Sequence, residues 1–136
     1  MDDPSRVKRL LQLVWSEMAQ VLIAEDEAFT AMALVDAIED EGHTVKDAAD
    51  GAIAIRILGN FKADLVITDL MMPNLGGAEL IRFLDSQPGP QTPVILISGV
   101  PETRLPPDLR YDAFVGKPID HPTLVRLIDR LTGQKG

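Results

Sequence analysis

The feature that most constrains this chain is an alternation of short strand-like runs with stretches of helical spacing, sustained across residues 21–131. Val21-Leu22-Ile23-Ala24 is apolar and too short for a helix, the composition of a parallel strand covered on both faces. Over residues 28–41 the period changes: Phe29, Met32, Ala33, Leu34, Val35, Ala37 and Ile38 are expected largely on one helical side, and Gly42 ends the helix. Thr44–Ala48 and Gly51–Leu58 repeat the unit, with Asp50 as the helix cap. A third strand is expected at 64–68, a third helix at 78–84 after the turn Met72-Pro73-Asn74-Leu75-Gly76-Gly77, and a fourth strand at 93–97. Residues 113–115 and the helix His121–Leu131 complete the series. Such alternation predicts a doubly wound α/β fold: a five-stranded parallel sheet, helices on both faces, and a ligand crevice at the carboxyl ends of the strands.

One stretch breaks the pattern. Where a fourth helix belongs, residues 100–110 carry Pro101, Pro106 and Pro107, and a proline inside a helix removes a donor and clashes with the preceding turn. The fourth helix is therefore expected to be short, displaced or absent. Residues 1–19 read as a separate amphipathic extension, with Val7, Leu10, Leu11, Val14 and Met18 at helical spacing and Arg6, Lys8, Arg9 and Gln12 between them. Three readings of it stay open: a helix packed on the domain, an arm for dimerisation or partner docking, or a stretch preceding a true start at Met18. Trp15, near its apolar side, favours packing against something. Residues 20–133 are then the folded domain, and a length of 136 residues predicts one core without an attached output domain.

The absence of cysteine excludes disulfides, thiolate metal sites and thiol nucleophiles together. Neither histidine offers a metal site: His43, after Gly42, reads as a surface residue in a turn, and His121 opens the last helix without a partner. With 21 acids against 13 bases the net charge is −8, which argues against a nucleic acid as partner. No apolar run approaches the roughly 20 residues of a membrane span, and the first residues lack the core of a signal peptide, so a cytoplasmic protein is expected.

The polar residues that matter lie at strand ends. Glu25 and Asp26 follow the first strand, Asp69 the third, Ser98 the fourth and Lys117 the fifth, and the expected topology gathers all five at one crevice. Three carboxylates there would repel one another unless a cation neutralised them, and oxygen ligands suit Mg2+ better than zinc. Lys117 adds a point charge and Ser98 a hydroxyl donor, a set suited to cradling phosphoryl oxygens. Asp69 is the candidate nucleophile.

Leu22-Ile23-Ala24-Glu25-Asp26-Glu27, Val66-Ile67-Thr68-Asp69-Leu70-Met71-Met72-Pro73, Ile97-Ser98 and Gly116-Lys117-Pro118 together resemble the receiver domain of two-component response regulators. The likeness runs over residues 21–131. It implies a phosphorylation switch, with Asp69 accepting a phosphoryl group from a histidine kinase or phosphotransfer protein. It further implies that Asp26, Asp69 and the backbone carbonyl of Met71 hold Mg2+, with Glu25 acting on the ion through water. By the same resemblance Lys117 contacts the acyl phosphate, Ser98 swings toward it, the rotamer of Phe114 follows Ser98, and the Lys117-Pro118 bond is cis.

Departures from the family pattern carry their own expectations. Glu25 stands where Asp is more frequent, one methylene longer. Only eighteen residues separate Ser98 from Lys117, which puts the usual output face in question. Met71 and Val100 are apolar where relatives carry polar residues that orient the hydrolytic water, so slow loss of the phosphoryl group is expected. Such a chain signals by changing which protein it touches, with homodimerisation open, rather than by enzymatic turnover. Two other classes are a pseudo-receiver that binds partners without phosphorylation and an Asp-nucleophile phosphatase. The latter is disfavoured because no second acid follows Asp69 and no cap segment encloses a substrate.

Overall fold

The structure, a computed structural model, describes residues 3–16 and 18–133, those at 12–16 by their backbone. Its elements run α1 (Pro4–Ser16), β1 (Gln20–Ala24), α2 (Ala28–Asp40), β2 (Thr44–Ala48), α3 (Gly51–Leu58), β3 (Leu65–Asp69), α4 (Gly77–Ser86), β4 (Val94–Ser98), β5 (Ala113–Gly116) and α5 (His121–Leu131). The strands form one parallel sheet in the order β2-β1-β3-β4-β5. Between β4 and β5 a single 3-10 turn, Glu102–Arg104, stands in place of a helix, as the three prolines require.

Every residue of β3 and β4 is buried, and alternate side chains feed two cores. Leu22, Val66, Val94 and Leu96 point to one face, where Ala54 of α3 and Leu80, Ile81 and Leu84 of α4 cover them. Val21, Ile23, Leu65, Ile67, Ile95 and Ile97 point to the other, under Leu34 and Ile38 of α2 and Leu124 and Ile128 of α5. Without a long helix between β4 and β5, Leu105 and Leu109 still insert into the first core. Arg110 anchors that segment, donating from Nε to Asp85 at 2.7 Å and from its two terminal nitrogens to Asp112 at 3.1 Å and the Thr92 carbonyl at 3.2 Å.

Two expectations are corrected. Phe29 and Met32 lie not on the buried side of α2 but in solvent, 80% and 60% exposed. At 100° per residue the stripe facing the sheet is Ala31, Leu34 and Ile38, and the other two fall on the far side. His43 is not a surface residue: only 5% exposed, it accepts on Nδ1 from the Ala19 N–H at 3.0 Å, with Nε2 3.9 Å from Asp129 of α5. The chain entering β1 needs an acceptor there, and the imidazole supplies it. The packing expected of Trp15 lies outside the described side chains.

Candidate functional site

The order β2-β1-β3 places the topological switch between β1 and β3. Ala24 pairs with Thr68, so Glu25, one residue on, comes level with Asp69, the last residue of β3. Backbone bonds continue the register past the strands: Glu25 N–H donates to the Ala48 carbonyl at 2.9 Å, Leu70 N–H to that of Ile97 at 3.0 Å and Lys117 N–H to that of Ser98 at 2.9 Å. Asp69 and Ser98 thus close their strands, rather than following them as expected.

Lys117 Nζ donates to Asp69 Oδ2 at 2.6 Å and stands 2.9 Å from Glu25 Oε1. Asp69 Oδ1 accepts from the Met71 N–H at 3.3 Å, and Glu25 Oε2 from the Glu27 N–H at 3.2 Å. The side chains of Glu25 and Asp69 are 1% and 8% exposed and that of Lys117 30%, while Asp26 is exposed. Oxygens of Glu25, Asp26 and Asp69 lie within 4.8 Å of one another. Burial pushes the Glu25 carboxyl above its ordinary value; Lys117 and the Glu27 N–H pull it back, and the neighbouring Asp69 adds to the rise. Burial pulls the Lys117 ammonium down, but Asp69 and Glu25 outweigh that and hold it above its usual value, charged at neutral pH.

Three carboxylates against one ammonium leave an excess of negative charge at the crevice. Glu25 Oε1 is buried and makes no hydrogen bond, with the Lys117 Nζ at 2.9 Å as its ion-pair partner. An oxygen-only donor set containing a buried oxygen without a hydrogen bond fits a hard divalent cation such as Mg2+.

Ser98 is buried, and its Oγ accepts from the Val100 N–H at 2.8 Å, engaged by its own loop. Phe114 is half-buried, tilted against Tyr111 with ring centroids 6.4 Å apart. The Tyr111 hydroxyl donates to Glu102 at 2.7 Å, which ties the aromatic pair to the 3-10 turn. The Lys117-Pro118 peptide bond is cis. Met71 points its side chain into solvent, 67% exposed.

Several residues that the sequence offered only as parts of a turn or a motif, with no role of their own, shape the site. A Cβ on Gly77 would stand 2.2 Å from the Asp69 carbonyl oxygen, so only glycine lets α4 begin this close to the end of β3. Asn74 sits at φ +66°, and its amide donates to Asp50 at 2.8 Å, joining the loop after Asp69 to the cap of α3. Thr68, fully buried, donates to the Asp69 carbonyl at 2.9 Å. Glu27 caps α2, accepting from Phe29 N–H at 3.1 Å and Thr30 N–H at 2.8 Å. The signal for Asn74 and Gly77 was present: an Asn and two glycines after a proline mark left-handed backbone and close approach.

The model of the response regulator receiver domain matches residues 21–129, and the chain belongs to this family. Regulator of RpoS from Escherichia coli (strain K12) is 40% identical over 79 residues, which cover 58% of this chain and 23% of that protein. Sensor kinase CckA of Brucella abortus (strain 2308) is 32% identical over 121 residues, 85% of this chain and 13% of that one. Among solved structures, the signal receiver domain of a signal transduction histidine kinase from Syntrophus aciditrophicus aligns with a TM-score of 0.75 at 29% identity, over 85% of this chain and 90% of the other. The chain spans less than a quarter of the length of either curated relative. Receiver domains are signalling switches of two-component systems rather than enzymes in the ordinary sense.

Proposed function

We propose that residues 20–133 act as a phosphorylation switch, with residues 1–19 as an extension, and that Asp69 accepts a phosphoryl group from a histidine kinase or phosphotransfer protein. The observation that carries this reading is the contact of one lysine with two nearly buried carboxylates, Asp69 and Glu25, at the carboxyl ends of the strands. An Asp69 oxygen attacks phosphorus, the phosphorus–nitrogen bond of the donor phosphohistidine breaks, and its electron pair returns to the imidazole. Lys117 leaves its ion pair with Asp69 to meet a phosphoryl oxygen. The Ser98 hydroxyl leaves the Val100 N–H and donates to a phosphoryl oxygen, and Phe114 follows into the space that Ser98 leaves. Glu25, Asp26, Asp69 and the backbone carbonyl of Met71 are the groups that would hold Mg2+, which when bound neutralises charge on the phosphoryl oxygens.

Phe29 and Lys117 border a hollow of about 310 Å³ beside the crevice, with Ala33 and Ile119 on its walls. This apolar border is where a histidine-bearing partner can dock. The output is a change of protein partner, and the net charge of −8 disfavours nucleic acid as that partner. The cytoplasm is the proposed compartment; no helix among the described residues is long and apolar enough to cross a membrane.

Beryllofluoride or acetyl phosphate with Mg2+ should shift backbone amide resonances around Ser98, Val100 and Phe114, and Asp69→Ala should abolish the shift. An unshifted wild-type spectrum would favour a module that binds partners without phosphorylation. Repeated turnover of a phosphorylated metabolite would favour a phosphatase.

A further inference from the structure

Helix α1 presents Val7, Leu10 and Leu11 to solvent, 43%, 52% and 45% exposed, with Met18 beyond it 42% exposed. The same helix carries Arg6, Lys8 and Arg9 and no acid, in a chain of net charge −8. An apolar stripe flanked by cations is a surface in need of cover, and its charge calls for an acidic neighbour.

The acids lie at a defined place. Asp36, Glu39, Asp40 and Glu41 are all exposed at the C-terminal end of α2, whose last turn holds no basic residue. Four carboxylates at the negative pole of a helix dipole are unfavourable until a cation meets them. The N-terminus of α1 is already matched, since Asp3 caps it by accepting from the Ser5 N–H at 3.0 Å, so its cations Arg6 and Lys8 stay available to acids elsewhere. Helix α1 leaves the sheet beside these acids. Ala19, at the end of the short connection to β1, accepts from the Thr44 N–H at 2.9 Å and donates to His43 at 3.0 Å, and both residues directly follow α2 and its Gly42 turn.

We propose that two copies of this chain associate through an antiparallel pairing of α1 with α1. Each helix is about 20 Å long, so antiparallel packing lays the N-terminal half of one helix, with Arg6 and Lys8, against the C-terminal half of the other. That position adjoins the acidic end of the partner's α2. Val7, Leu10 and Leu11 form a seam that a two-fold axis makes self-complementary. A seam this short falls below the about 1,200 Å² that a lasting interface buries, so the contacts of Arg6 and Lys8, which flank it, with the acids of α2 decide the affinity. An anionic membrane would satisfy the helix too, but it would repel the acidic body that the helix carries. This inference is independent of the phosphoacceptor reading.

Sedimentation of the full chain from about 1 to 100 µM should show a monomer–dimer equilibrium that high salt weakens. Leu10→Asp should leave a monomer throughout, with an unchanged far-ultraviolet circular dichroism spectrum. Arg6→Glu and Glu39→Arg should each weaken association about tenfold, and combining them should restore it. A wild-type chain that stays monomeric, association indifferent to Leu10→Asp, or a reversed pair that fails to restore would overturn the proposal. So would binding to phosphatidylglycerol vesicles without self-association.

Discussion

Lys117 governs the electrostatics of the crevice, since its single ammonium faces Asp69 at 2.6 Å and Glu25 at 2.9 Å. Removing it leaves two nearly buried carboxylates facing each other with no cation between them. Lys117→Met should lower stability in Mg2+-free buffer by about 1–3 kcal/mol, less than for a wholly buried pair because Nζ keeps some water. Adding Mg2+ should recover more stability in the variant than in the wild type, as read from urea unfolding curves. Met71 and Val100 control a different property. Both are apolar where a polar side chain could orient a water on the acyl phosphate, and Met71 is 67% exposed, with room for a substitution. Met71→Asn with Val100→Glu should shorten the lifetime of the phosphorylated form about tenfold, the equivalent of one added hydrogen bond of about 1.4 kcal/mol in the transition state. Decay of the acyl phosphate in Mg2+ buffer measures it.

At the scale of elements, helix caps position the loops around the crevice. Asp50 accepts from the Ile53 N–H at 2.8 Å, which starts α3, and from the Asn74 amide at 2.8 Å, which holds the loop after Asp69. The Ile53 N–H, and after it Asn74, keep its carboxyl below the ordinary value of 3.8. A value lower in the folded state than in the unfolded one means stabilisation that is complete above the ordinary carboxylate range and lost as pH falls through the lowered value. The stability deficit of Asp50→Ala should therefore stay constant from neutral pH to about pH 5 and narrow toward about pH 3. Urea unfolding at a series of pH values tests this; a deficit that widens on acidification would contradict it. The segment between β4 and β5 shows how an element can be lost without its packing role. Leu105 and Leu109 fill the core, and Arg110 fixes the backbone through Asp85, Asp112 and Thr92.

The whole molecule has two cores separated by the sheet. Leu80 of α4 lies in one and Leu124 of α5 in the other, and neither is accessible to solvent. Leu80→Ala and Leu124→Ala should each cost about 2–5 kcal/mol. Because the cavities share no wall, the double variant should equal the sum within about 0.5 kcal/mol. A large deviation in denaturant titrations would mean that the sheet transmits strain from one face to the other, which a closely packed interior can do.

The order of elements, the parallel sheet and the place of the crevice were legible in the sequence, because burial on both faces demands runs such as Val21-Leu22-Ile23 and Val66-Ile67. The gathering of Glu25, Asp26, Asp69 and Lys117 was legible for a related reason, since strand ends in this topology converge, whereas the Ser98 side chain turns to its own loop. The absence of a long helix between β4 and β5 was legible in the prolines of that segment, whose effect is local. The burial of His43 was not, because it depends on Ala19 and Asp129, which approach it only once β1 and α5 have packed. The exposure of Phe29 and Met32 likewise depends on which stripe of α2 meets the sheet. Asn74 and Gly77 announce a tight turn in the sequence, but that the Asn74 amide meets Asp50 of another element does not follow from local spacing. Hydrophobic periodicity and backbone propensity act over a few residues and are written in the chain, whereas contacts across elements exist only after burial has chosen the faces.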